Sequence, residues 1–251
     1  MMSLTVLVTG ATAGFGNAIT RRFVKDGHRV IAAGRRKERL DALKAELGDK
    51  VLPLVLDVTD KDAVGALPGS LPSGWQEVDV LVNNAGLALG VSSAQTSKAD
   101  DWDTMIATNI SGLARVTHAI LPGMVARNTG HIINLGSTAG AYPYPGGNVY
   151  GASKAFVAQF SLNLKADLVG TNVRVTDLEP GLVGGSEFSA VRLGDQSKAD
   201  AVYAGTTPLN PQDIAEAVAW VVNLPAHVNI NRMEMMPTCQ AAGPLAIKRA
   251  G

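Results

Sequence analysis

The chain has 251 residues, of which 46% are hydrophobic and 18% charged, a balance that supports a sizeable core and argues against a disordered or coiled-coil chain. Its 22 Lys and Arg are matched by 22 Asp and Glu, so there is no basic field for nucleic acid or an acidic membrane, and any bound anion must be held locally. The single cysteine, Cys239, excludes an internal disulfide framework and a zinc site built on thiolates, and it fits a reducing compartment.

Short apolar runs alternate with longer amphipathic stretches along the whole chain. The first run, residues 4–9, has no basic segment before it and breaks at Thr9-Gly10. That is far short of the roughly 20 apolar residues of a membrane span, so a cytoplasmic protein is expected. Glycines follow at 10, 14 and 16, with Thr12 and Phe15 among them, and a helix begins at once with Ile19, Phe23 and Val24 on one face. Glycines there let the backbone turn tightly and approach a ligand, and the helix start offers N–H groups to a pyrophosphate. A second run, residues 29–33, leads to Gly34-Arg35-Arg36. A dinucleotide site places its ribose contact about 20 residues past the glycines, and an acid there favours NAD. Arginines in that place predict NADP, with Arg35 the main contact to a 2′-phosphate and Arg36 secondary, rather than two solvated helix-start residues.

A third run, residues 51–56, ends at Asp57-Val58, expected at the adenine edge, and residues 67–75 read as a loop. The fourth run, 78–82, leads into Asn83-Asn84-Ala85-Gly86, and Asn109 lies in the helical stretch beyond. The fifth run, 131–135, is followed by Gly136-Ser137; the uncharged stretch 132–153, rich in Gly, Pro, Asn and Ser, reads as an active-site loop. Tyr150 and Lys154 then stand four apart, on one face if the segment is helical. A sixth run, 173–178, precedes Pro180-Gly181, and residues 183–208 lack periodicity, as a lid over a site would. The seventh run, 231–236, carries Met233, Met235 and Met236 in strand alternation, and the apolar stretch from about 230 to 251 could close a subunit interface. His118, His131 and His227 lack ligand spacing, so no metal is expected. Strand-length runs joined by helices imply a Rossmann-type, doubly wound α/β fold of about seven parallel strands in one domain, residues 1–251.

The glycine loop, Asn83-Asn84-Ala85-Gly86, Asn109, Ser137, Tyr150-Gly151-Ala152-Ser153-Lys154 and Pro180-Gly181 together resemble the short-chain dehydrogenase/reductase family over nearly the whole chain. The resemblance implies hydride transfer with a nicotinamide cofactor. Tyr150 would be the general acid/base, Lys154 would lower its pKa and hold the nicotinamide ribose, Ser137 would donate to the substrate oxygen, and Asn109 would anchor a relay water. Asn84, Ala85, Gly86, Pro180, Gly181, Val183 and Ser186 would lie along the cofactor; Ser186 stands where the family usually has threonine. Ala13 replaces a basic residue of some NADP-using relatives, which leaves phosphate selectivity to the Arg35 region.

Gly146-Gly147-Asn148-Val149, residues 179–185, Phe188, Val191-Arg192 and residues 224–231 resemble the 3-hydroxy acid dehydrogenase branch, which includes serine and L-allo-threonine dehydrogenases. That branch implies a small β-hydroxy acid or the matching semialdehyde, with Asn148 near the substrate, and a homotetramer. A substrate carboxylate needs a cation: Arg192 is either its bidentate clamp or a solvated loop arginine. A sulfoacetaldehyde reductase, or a cofactor-binding regulatory protein without turnover, would share these motifs.

Overall fold

The computed structural model describes residues 3–243. Seven strands form one sheet, β1 Thr5–Thr9, β2 Arg29–Gly34, β3 Val51–Val55, β4 Val80–Asn83, β5 Gly130–Leu135, β6 Val173–Pro180 and β7 Arg232–Met235. The order is β3-β2-β1-β4-β5-β6-β7, and every neighbouring pair is parallel. Alternation explains how so apolar a sheet is covered on both faces. Val6 and Val8 of β1 and Val80 and Val82 of β4 enter one core, with Ile19 and Phe23 of α1 (Gly14–Lys25), Leu40 of α2 (Lys37–Leu47) and Ile214 and Val218 of α3 (Pro211–Val222). Leu7 and Leu81 face the other way, onto Val64 and Leu67 of α4 (Lys61–Ser70), Val116 and Ile120 of α5 (Leu113–Ala126) and Leu164 of α6 (Asn148–Asp167).

Chain order along the sheet reverses between β1 and β4. The carboxyl ends of the strands flank a crevice there, the place where open α/β sheets take ligands. Three local readings are corrected. The segment 67–75 is not all loop: α4 continues to Ser70 through Pro68, because Val64 and Leu67 are buried on one helical face. The stretch 132–153 is loop only in its middle, since its ends belong to β5 and α6. Residues 183–208 contain two helices, α7 Phe188–Leu193 and α8 Gln196–Tyr203, too short to show a period in the sequence. Of the expected interface segment 230–251, residues 244–251 lie outside the described residues.

Candidate active site

The crevice opens into a cleft of about 350 Å³. The glycine loop forms one wall. Gly10 has φ +67°, and a Cβ on Gly16 would overlap the Gly10 carbonyl oxygen, so only glycine permits this close approach. The first turn of α1 has no capping side chain and no acidic residue, leaving its N–H groups available to an anion. Thr9 fixes the opposite wall: its Oγ1 accepts from the Asn84 and Ala85 N–H groups at 3.0 and 2.9 Å.

Gly10, Thr12, Gly14, Phe15, Arg35, Arg36, Asp57, Val58, Asn84, Ala85, Gly86, Tyr150, Lys154 and Ser186 all line the cleft, whereas Gly16, Pro180, Gly181 and Val183 do not. The two arginines differ. The Arg35 side chain is 71% exposed, its nearest charge an Asp57 oxygen at 3.9 Å. Arg36 is engaged, donating to Thr12 Oγ1 at 3.0 Å and to Glu187 at 2.9 Å, while Arg39 donates to the other Glu187 oxygen at 2.8 Å. Asp57 accepts from the Thr59 N–H and hydroxyl.

At the other end, α6 presents Tyr150 and Lys154 one turn apart. Tyr150 is 9% exposed, and its ring lies 5.7 Å from that of Phe188. Burial pushes its phenol up to about 12, with the Ser137 hydroxyl and Arg192 acting in the opposite sense. Burial pulls Lys154 down to about 8, opposed by the charge of Asp177. The Lys154 ammonium donates to the Leu135 carbonyl at 2.6 Å. Ser137 Oγ accepts from the Ala139 N–H at 3.1 Å.

Asn109 does not line the cleft. It sits in a π-helical stretch, Ile106–Gly112, that leads into α5. Its amide grips Leu87, donating to the carbonyl at 2.8 Å and accepting from the N–H at 2.9 Å, and it donates to Ser153 Oγ at 3.1 Å. Asn148 faces the loop 92–97, donating to the Ser92 carbonyl and to Ser97.

Arg192 reaches this end from α7. Its guanidinium carbon lies 5.5 Å from the Tyr150 ring and 5.3 Å from the Tyr144 ring. Nε donates to the Gly90 carbonyl at 3.2 Å and Nη2 to the Tyr144 hydroxyl at 2.9 Å, while Nη1 makes no hydrogen bond to the described residues. Sequence reasoning missed Tyr144, which lies in an irregular loop without a spacing signal. It also missed Glu187, whose partners are distant in the chain. Among the described residues no group of three or more potential metal ligands occurs.

A cleft at the sheet's reversal point, with a glycine turn at one end and a tyrosine–lysine pair at the other, matches a known pattern. The family model of short chain dehydrogenases aligns with residues 4–195. This chain belongs to the short-chain dehydrogenase family. The dehydrogenase is 62% identical over 248 residues to the NADP-dependent 3-hydroxy acid dehydrogenase YdfG of Salmonella typhi, covering 98% of this chain and all of that one. It is 49% identical over 249 residues to the serine 3-dehydrogenase of Agrobacterium fabrum, covering 99% of each. Its fold superposes with a TM-score of 0.95 on the closed form of a serine dehydrogenase complexed with NADP+, at 61% identity over 98% of this chain and all of that one. The fold and the oxidoreductase class expected from the motifs are thereby established.

Proposed function

We propose that this dehydrogenase uses NADP to transfer a hydride to or from the β-carbon of a small 3-hydroxy acid, with L-serine, L-allo-threonine and 3-hydroxypropionate as the leading substrates. The observation that carries the substrate class is Arg192. A fixed guanidinium with one unengaged nitrogen beside Tyr150 suits an anion joined to the reacting carbon by a short link. The relatives named for 3-hydroxy acids and serine support the same class.

The cleft fits the cofactor. The glycine walls leave room for a pyrophosphate at the uncapped start of α1, Asp57 can accept from an adenine amino group, and Arg35 stands exposed where a 2′-phosphate would need a cation. Bound NADP supplies the nicotinamide that accepts or gives the hydride. Gly16, Pro180, Gly181 and Val183 would shape the backbone behind it, and Ser186 would face it from the lid.

Tyr150 exchanges the proton with the substrate oxygen. Its buried phenol resists ionisation, so Lys154 must supply the positive charge that makes phenolate accessible. Ser137 donates to the same oxygen as it gains charge. Asn109 holds Leu87 in place and would anchor the relay water at that strand end. Asn148 would contact the substrate after turning from Ser92 and Ser97. Residues 183–208 act as the lid, and Phe188 and Val191 contribute to the cleft wall. A cytoplasmic homotetramer completes the reading; Trp220, 53% exposed on α3, is the kind of residue that assembly covers. Light scattering should give four chains, and a monomer would contradict that part.

The deciding experiment is an NADP-linked rate panel of L-serine, L-allo-threonine, 3-hydroxypropionate, 3-hydroxyisobutyrate and isethionate. The proposal requires the carboxylates to be turned over with higher kcat/KM than isethionate. The reverse order would reassign the clamp to a sulfonate, and stoichiometric NADPH binding without turnover would mark a regulatory protein.

A further inference from the structure

Beside Gly136, one residue past the Leu135 carbonyl that holds Lys154, lies a pair of acids that the mechanism does not use. Asp177 and Glu179 alternate on β6 and are each 2% exposed. Their side chains share one face of the strand, against Gly136, where a Cβ would collide with the Asp177 carboxyl and lie 2.9 Å from Glu179 Cγ. Glu179 is neutralised by Arg232, which donates to it at 2.6 Å from β7. Asp177 has no such partner: neither of its oxygens accepts a hydrogen bond from the described residues. A buried carboxylate without a donor is costly, and two neighbouring carboxylates cannot both ionise readily in a low dielectric. One proton on Asp177, donated to Glu179, removes both difficulties.

We propose that Asp177 and Glu179 share one proton beside Gly136, and that Asp177, as a positioning residue, thereby sets the charge of the ammonium on which Tyr150 depends. The charged groups around the pair are Lys154 from α6, Arg232 and Glu234 from β7, and Tyr142 beyond Glu234. Burial, reinforced by Glu179, pushes Asp177 up to about 8, close to the value to which burial lowers Lys154. Each group feels the charge of the other, so ionisation of Asp177 and protonation of Lys154 favour one another. Below that range Asp177 is neutral and Lys154 charged. As pH rises, ionisation of Asp177 favours the ammonium and delays its loss.

This inference rests on Tyr150 and Lys154 being the working pair, and it is tested in two ways. The first is the pH dependence of kcat for NADP-linked oxidation in the wild type, Asp177→Asn and Glu179→Gln. Asparagine keeps the neutral form permanently, so the basic limb should move to lower pH, by on the order of one unit, the scale of one lost neighbouring charge. Glutamine removes the neighbouring acid, the next cause after burial, so Asp177 should ionise at lower pH and that limb should move to higher pH. Profiles that keep their shape and change only in height would overturn the inference while leaving the proposed activity intact. A wild type without turnover would instead strike the activity itself. The second is infrared spectroscopy of the cofactor-free wild type labelled with 13C-aspartate, which stands even if a variant fails to fold. A protonated-carboxyl stretching band that shifts with the label at pH 7 and fades as pH passes about 8 is expected. Its absence at pH 7 would refute the shared proton.

Discussion

Lys154 is held by the end of β5 and not by the neighbouring phenol: its ammonium donates to the Leu135 carbonyl at 2.6 Å and lies 5.9 Å from the centre of the Tyr150 ring. The cation is therefore fixed before a substrate arrives, and its protonation sets when it can act. Lys154 is lowered to about 8, so the charge is present below that pH and lost above it. The kcat of NADP-linked oxidation should accordingly decline on the basic side from about pH 8. Lys154→Met should lose roughly a hundredfold or more in kcat at pH 7, the scale of a general acid/base contribution. A basic limb and kcat unchanged in that variant would separate Lys154 from the proton step.

Arg35 and Arg36 should divide into different phenotypes. Arg35→Ala removes an exposed cation with no ion-pair partner among the described residues closer than 3.9 Å. It should raise KM for NADP by roughly ten- to a hundredfold, as loss of a charge-assisted hydrogen bond does, and leave KM for NAD nearly unchanged. Arg36→Ala also frees Thr12 and Glu187, so both cofactors should bind less well. Steady-state titrations with the two cofactors check both outcomes.

Arg192→Met keeps much of the side-chain bulk against Tyr144 and Tyr150 and removes the charge. kcat/KM for L-serine should fall by about a hundredfold or more, the scale of a charged hydrogen-bond pair, while KM for NADP stays within about twofold. A small aldehyde without an acid group should lose far less. Equal losses on both substrates would mean that Arg192 supports the fold of the site and not the substrate anion.

Gly16→Ala tests the cofactor cradle through stability as well as binding. The added methyl overlaps backbone, which cannot move aside as a flexible side chain can. A cost of about 1–3 kcal/mol in chemical denaturation is expected, together with loss of NADPH binding seen by fluorescence. Wild-type stability and affinity in this variant would contradict the tight approach of the glycine loop.

The parts of this molecule that were legible in its sequence are those governed by neighbours in the chain. The run ending at Thr9, the glycines that follow and the four-residue spacing of Tyr150 and Lys154 each carry their own local reason. The sequence offered Arg192 as either a substrate clamp or a solvated arginine, and its contact with Tyr144, 48 positions away, comes only from folding. Glu187 is similar, since it meets Arg36 and Arg39 only when the segment after β6 folds against the start of α2. Asp177 and Glu179 did leave a trace: two acids alternate in a strand run that also carries Val173, Val175 and Leu178. That trace acquires meaning only with Lys154 and Arg232 on either side, and these come from α6 and β7.

Tyr150→Phe, which keeps the ring against Phe188 and removes one hydroxyl, isolates the proton step. NADPH affinity by fluorescence titration and kcat with the best substrate of the panel should be measured on the same preparation. Affinity should stay within about twofold of wild type while kcat falls by at least about a hundredfold, the scale of a lost acid/base group. Wild-type kcat with intact binding would show that the proton passes through another residue.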